Sequence, residues 1–203
     1  MQLYDGGRAP NPRRVRIFLA EKQISVPLVP VDLAKGEHKS EAFTRINPSQ
    51  RVPVLVLDDG TAIAETMAIC RYFEALQPAP SLFGASPREI ALIEMWQRRI
   101  ELELFFPLTF ILRHTNPGMA ASEVPQVPAW GEANRPRALA FLEYLDGVLA
   151  DRAFIAGENY SVADIPALVA VDFMGVTRLE LAPRLSHVRR WHDVVSARPS
   201  AKA

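Results

Sequence analysis

The segment 47–66, Asn-Pro-Ser-Gln-Arg-Val-Pro-Val-Leu-Val-Leu-Asp-Asp-Gly-Thr-Ala-Ile-Ala-Glu-Thr, limits the possible folds more than any other stretch of this chain. Proline has no N–H to give a sheet ladder, and it drives the residue before it into an extended conformation. Val52-Pro53 therefore belongs at the mouth of a short apolar strand. Asp59-Gly60, between apolar runs at 54–57 and 61–64, is a hairpin signal. Glu65 and Thr66 then open a helix carrying Met67, Ile69, Cys70, Phe73 and Leu76 along its length. This order leaves the Val52 backbone unpaired beside a helix start, which suits the holding of a small extended peptide.

Upstream, residues 2–4 read as a strand. Asn11 followed by Pro12 reads as an N-cap with proline at the first helical position, where its missing N–H costs nothing. Val15, Phe18, Leu19 and Lys22 continue that helix at helical spacing. A second strand is expected over 28–33, with Pro30 placing it at a sheet edge, and a short helix over 40–46. Residues 77–86 hold Pro78, Pro80 and Gly84 without sustained periodicity and read as a linker.

Beyond the linker the pattern is helical. Ser86-Pro87-Arg88-Glu89 is a capping box with proline at N1, opening a helix expected to reach about residue 114 with a kink at Pro107. A proline-rich loop is expected over 116–130 and helices over 134–150, 162–176 and 184–197. The expected organisation is a small α/β domain at 1–77, a linker at 78–86 and an all-helical domain at 87–203.

Composition narrows the function classes. With 49% hydrophobic residues in a chain of 203, a packed core is affordable only to a folded protein of this kind. Zero formal net charge gives no support for a nucleic-acid or membrane-surface partner. No apolar stretch is long enough to span a bilayer, and the opening residues lack the apolar run of a signal peptide. A single cysteine, Cys70, excludes an internal disulfide framework and a cysteine zinc cluster. The expectation is a cytoplasmic protein without a metal.

Four segments together resemble the glutathione S-transferase family over nearly the whole chain. They are Ala9-Pro10-Asn11-Pro12-Arg13-Arg14-Val15-Arg16 with Leu19-Ala20-Glu21-Lys22, and Asn47-Pro48 with Arg51-Val52-Pro53-Val54-Leu55. Glu65-Thr66 with Ala68-Ile69 and Arg71-Tyr72 is the third, and Phe154-Ile155-Ala156-Gly157 with Tyr160-Ser161-Val162-Ala163-Asp164-Ile165 the fourth, near a closing Arg198-Pro199-Ser200. The resemblance implies a thioredoxin-like N-terminal domain that binds glutathione as substrate, an all-α C-terminal domain that shapes an electrophile pocket, and a homodimer. It also implies a cis Val52-Pro53 bond, with the Val52 backbone pairing with the cysteinyl unit of glutathione.

Residue by residue, Glu65 and Thr66 match the pair that grips the γ-glutamyl end, where free N–H groups of a helix start favour a carboxylate; a plain helix cap is the alternative. Val52 and Pro53 match the cysteinyl contact. Arg51, His38 and Lys39 match the subsite for the glycine carboxylate, or else form a solvated charge run. Asn11 joins the glutathione-binding set at the start of the first helix.

The reaction needs a thiolate. The positions where many classes carry an activating Ser or Cys fall at Ala9–Asn11, with neither group present, and Tyr4 lies on the strand near where other classes carry a tyrosine. This departure resembles a fungal-type subgroup, also bacterial, in which residues of the helical domain hold a water that takes the thiol proton. His114, in Arg113-His114-Thr115-Asn116-Pro117-Gly118, is then the catalytic candidate, with Thr109 or Asn116 as a possible hydroxyl or amide partner; helix C-terminal capping is the other reading of His114. Ser161 and Asp164 read as a structural capping box. The activity expected is conjugation of glutathione to small hydrophobic electrophiles in detoxification. The alternatives are a glutathione-dependent isomerase or dehalogenase, or a non-catalytic binding protein on the same scaffold.

Overall fold

Side chains alternate across a strand, and β1 (Gln2–Asp5) uses both of its faces: Leu3 and Asp5 are buried on one, Tyr4 is half-buried on the other. The structure, a computed structural model, describes all of residues 1–203. They divide into two units, Met1–Ser81 together with Pro199–Ala203, and Leu82–Arg198.

In the first unit, β1 pairs in parallel with β2 (Leu28–Pro30) and antiparallel with β3 (Val54–Val56), which pairs antiparallel with β4 (Ala62–Ala64). The order is β2-β1-β3-β4. Strand β2 is an edge, as Pro30 requires, because a proline there removes no ladder bond. It ends at Pro30 rather than continuing to residue 33. Helix α1 (Pro10–Glu21) crosses from β1 to β2, α2 (Glu41–Ile46) follows with Ser40 as its N-cap, and α3 (Thr66–Leu76) follows β4. Tyr4, Val54, Val56 and Val52 pack with Phe43 of α2 and with Val31, Leu33 and Ile46 on one face of the sheet. Tyr4 meets Phe43 edge-on with ring centroids 6.0 Å apart, and its hydroxyl accepts from Gln2 Nε2 at 3.2 Å. The opposite face buries Leu3 and Leu55 completely, and the α1 and α3 side chains Val15, Ile17, Phe18, Ile69 and Phe73 are buried as well.

Helix α1 starts earlier than the Asn11 cap expected from sequence. Ala9 stands at the N-cap without a side-chain cap, and prolines occupy positions in the first turn that need no intrahelical N–H. Asn11 Oδ1 instead accepts from Arg14 Nη1 at 3.1 Å. At the other end of the chain, a short 3₁₀ turn over Pro199–Lys202 packs on α1: Arg13 Nη2 donates to the Ala201 carbonyl at 3.0 Å, and Ser200 Oγ donates to Glu21.

The second unit is all helical. Helix α4 (Pro87–Ile100) has the expected capping box in full, with Glu89 N–H donating to Ser86 Oγ at 3.3 Å and Ser86 N–H to Glu89 Oε2 at 3.1 Å. Where a kink at Pro107 was expected, a π-helical turn over Glu101–Phe105 leads into α5 (Phe106–Thr115). The wider turn absorbs the backbone bond that Pro107 cannot make. Helix α6 (Pro128–Leu149) begins six residues before the sequence suggested and contains Pro136. Gly131 serves close packing: a Cβ on it would lie 2.5 Å from Thr115 Cγ2 and 3.2 Å from His114 Cβ.

Helix α7 (Asp164–Phe173) lies in a run, 161–171, buried at every position, as expected of a helix hydrophobic all round. Asp164 is completely buried and accepts four hydrogen bonds: from Ile155 N–H at 3.0 Å, Trp191 Nε1 at 2.9 Å, and Ser161 N–H and Oγ at 2.9 and 3.2 Å. Only half of the expected capping box forms, because Ser161 Oγ takes the Ala163 N–H rather than that of Asp164. Helix α8 (Ser186–Ser196) supplies Trp191 and is capped from α6, with Asp146 Oδ1 accepting from His187 and Val188 N–H at 2.9 Å each. No helix is long and apolar enough to cross a membrane.

Candidate functional site

The β3–β4 register assembles the core of the site. Val54 pairs with Ala64, so extending the antiparallel alignment past the end of the ladder sets Pro53 against Glu65 and Val52 against Thr66. The Val52-Pro53 bond is cis. Neither the Val52 N–H nor its C=O bonds to another backbone group, and Val52 is half-buried. An extended ligand can therefore pair with both.

Glu65 is exposed and holds φ at 69° with ψ at 123°, a positive-φ conformation outside the left-handed helical well that costs a non-glycine residue roughly 1–3 kcal/mol. Sheet and helix impose it together, since β4 ends at Ala64 and α3 begins at Thr66. Thr66 is buried at the first helical position, where the free N–H groups of the first turn collect. A strained acidic residue beside unpaired helix donors is the kind of outlier that functional sites retain.

The β1–α1 turn closes against Val52. A Cβ on Gly6 would lie 2.7 Å from Val52 Cγ2, 3.0 Å from Leu33 Cδ1 and 3.5 Å from Ala9 Cβ, so glycine is what lets the turn approach. Asp5 shapes the same turn, accepting from Gly7 N–H at 2.8 Å and pairing with Arg16 of α1. Sequence reasoning missed both residues. The signal was present in Gly6-Gly7 directly after a strand, but nothing local says that a distant valine meets the glycine.

At the first turn of α1 the two prolines Pro10 and Pro12 remove two of the free donors, leaving Asn11 with an N–H in a turn that holds no hydroxyl or thiol. His38 and Lys39 sit on a 3₁₀ turn, Glu37–Lys39, that follows Gly36 in the left-handed region at φ 74°. Burial, then the charges of Lys39 and Arg51, hold the His38 imidazole below its ordinary value, and its buried Nδ1 has no hydrogen-bond partner. The structure thus brings His38, held toward its neutral form, beside the cations Lys39 and Arg51.

In the second unit, His114 ends α5 and is buried. Its Nδ1 accepts the Val127 N–H at 3.1 Å, and Nε2 lies 3.7 Å from Glu123 Oε1. The surrounding loop is tied to the end of α5 by Gln126 Nε2, which donates to the Arg113 and Asn116 carbonyls at 2.6 and 2.8 Å. With Nδ1 committed as acceptor, the neutral ring carries its proton on Nε2. It can hold a water by donation but has no lone pair left to act as a base. Both suggested partners have local roles: Thr109 Oγ1 donates to the Phe106 carbonyl at 2.8 Å, and Asn116 Oδ1 accepts from Gly118 N–H at 2.8 Å.

Residues 9–76 match the family model described as "Glutathione S-transferase, N-terminal domain", and residues 129–199 match "Glutathione S-transferase, C-terminal domain". Among curated proteins, glutathione S-transferase 2 of Saccharomyces cerevisiae is 41% identical over 205 residues, covering 100% of this chain and 88% of that protein. The crystal structure of Gtt2 from S. cerevisiae superposes with a TM-score of 0.94 at 41% identity, covering 100% of this chain and 99% of the other. A glutathione S-transferase domain-containing protein of Marinobacter aquaeolei also gives 0.94 at 41% identity, over 98% and 99%. The chain belongs to the glutathione S-transferase family, with a thioredoxin-like first unit and a helical second one.

Proposed function

We propose that this protein is a glutathione S-transferase that binds glutathione along Val52 and adds its thiolate to small hydrophobic electrophiles. One observation carries the reading: the unpaired Val52 backbone lies between a strained Glu65-Thr66 helix start and a gathered cationic group. Glutathione is an extended tripeptide with a zwitterionic γ-glutamyl end and a carboxylate at the other. Glu65 and Thr66 meet the γ-glutamyl amine and carboxylate, Val52 pairs with the cysteinyl backbone beside Pro53, and Arg51, His38 and Lys39 face the glycine carboxylate. The charges match at both ends.

Ionising the thiol is the protein's catalytic task, since the thiolate is the nucleophile. Ala9, Pro10 and Asn11 bring no hydroxyl or thiol, so Asn11 contributes its backbone N–H and the positive end of α1. As the resemblance implies, the thiol proton passes to a water and on to bulk solvent, and we assign the holding of that water to His114, by donation from Nε2–H. A homodimer in the cytoplasm, working in detoxification, completes the proposal.

Calorimetric titration with glutathione, followed by conjugation of an aromatic halide, tests it. Micromolar to low-millimolar binding with turnover is expected. Absent binding would return the chain to a non-catalytic role on this scaffold. The pKa of bound glutathione in His114→Ala tests the water holder; an unchanged value removes His114 from the mechanism. Light scattering in solution reads the oligomeric state.

A further inference from the structure

We propose that Asn47 is a positioning residue that sets the direction of the Val52 N–H, and with it the affinity for glutathione. The inference rests on the glutathione reading above. Asn47 lies just past α2 and is 6% exposed. Its Nδ2 donates to the Arg51 carbonyl at 2.8 Å, and its Oδ1 accepts from Ser49 N–H at 3.2 Å and Ser49 Oγ at 2.9 Å. Its own N–H is anchored on the Phe43 carbonyl at 2.8 Å. One side chain thus spans the turn from the end of α2 to the residue before Val52.

The Arg51 carbonyl and the Val52 N–H belong to one peptide unit, which is trans. Such a unit is planar, with its carbonyl and N–H pointing in opposite directions. Fixing the Arg51 oxygen on Asn47 therefore fixes the Val52 N–H on the far side of the plane. That N–H has no backbone partner. Gln50, just before this unit, sits in the left-handed region at φ 54°, and its side chain donates from Nε2 to Thr44 Oγ1 at 2.9 Å. The turn has no regular ladder to hold it, so the Asn47 hydrogen bonds orient it. A freed plane can rotate, and the Val52 N–H then meets the cysteinyl carbonyl for only part of the time. Arg51 shifts with the same unit.

The test compares wild type with Asn47→Ala, Asn47→Asp and Ser49→Ala. Asn47→Asp keeps the acceptor for Ser49 but replaces the donor to Arg51 with a charged oxygen facing a carbonyl. Asn47→Ala and Asn47→Asp are both expected to raise the glutathione Kd and KM by on the order of tenfold, the loss of one oriented hydrogen bond. Their kcat at saturating glutathione and their KM for the electrophile should stay within about twofold, because no group at the sulfur changes. Ser49→Ala, which leaves the Arg51 contact intact, should bind as wild type. In ¹⁵N-labelled protein, the Val52 amide resonance should move on adding glutathione to wild type and move less in Asn47→Asp. If Asn47→Asp binds like wild type, or if its melting temperature falls with no change in Kd, the proposal is overturned. A wild type that does not bind glutathione would instead overturn the functional reading beneath it.

Discussion

Gly6→Ala tests the claim that the β1–α1 turn is fitted against the glutathione-binding valine. The added Cβ would sit 2.7 Å from Val52 Cγ2 and 3.0 Å from Leu33 Cδ1. Carbon atoms prefer separations of about 3.5–4.0 Å, so Val52 has to retreat by roughly 1 Å or the turn has to lift by a similar amount. The φ of Gly6 is not in the left-handed region, so the backbone itself accepts alanine. Overpacking of this kind costs about 1–3 kcal/mol, and the lower entropy of an unfolded alanine returns about 0.4–1. A net loss of about 1–2 kcal/mol is therefore expected in urea unfolding. Because Val52 carries the cysteinyl contact, the glutathione Kd should rise about tenfold as its N–H and C=O shift. Val52→Ala deletes the atom that clashes. In the double variant the two costs should be less than additive by about 1 kcal/mol or more, with Leu33 as the smaller residual contact. Additive costs in that cycle, or an unchanged glutathione Kd in Gly6→Ala, would refute the packing argument.

Glu65→Gly should stabilise the fold or leave it nearly neutral, by up to about 1 kcal/mol, because glycine occupies φ 69° freely; glutathione affinity should fall at the same time, and calorimetry with urea unfolding reads both. Burial raises the Asp164 carboxyl from its ordinary 3.8 to about 6, against the pull of its four donors. The folded state then holds the proton more tightly than the unfolded chain, so this group's stabilisation is full below 3.8 and is lost as pH rises through about 6. The stability gap between wild type and Asp164→Asn should accordingly shrink by about 2 kcal/mol between about pH 4 and about pH 7; a gap that grows with pH contradicts the shift. Lys22 is fully buried, 2.7 Å from Glu74 Oε2 and donating to the Pro80 carbonyl at 2.6 Å. Lys22→Met should cost about 3 kcal/mol in thermal unfolding, with Lys22→Met/Glu74→Leu recovering much of it, since a lone buried charge is worse than none.

What the sequence made legible was chemistry that acts over a few residues. Val-Pro at a strand mouth, Asp-Gly in a hairpin and Ser-Pro-Arg-Glu at a helix start each state a local backbone requirement, and each element stands where it was expected. Pro30 marked an edge because a missing donor is a property of the residue alone. The departures came where tertiary contact decides. Pro128 lay in the expected proline-rich loop, yet α6 begins there and runs on through Gly131, since the first turn needs no N–H at 128 and packing against Thr115 and His114 asks for glycine at 131. Pro107 implied a kink, and the backbone met the same lack of a donor with a π turn. Asn11 resembled a cap until the residues before it proved able to continue the helix. In the site, Glu65 and Val52 were legible as residue types. The positive φ of one and the glycine contact of the other depend on strand register and on a turn more than forty residues away in sequence, and no local pattern encodes either.

A crystal structure with glutathione bound would show at once how the tripeptide lies on Val52. The tripeptide is expected to lie extended along Val52, its cysteinyl backbone paired with the Val52 N–H and C=O, its γ-glutamyl end at Glu65 and Thr66, and its glycine carboxylate beside Arg51, His38 and Lys39. Glutathione in the reverse direction, or seated away from Val52, would contradict it.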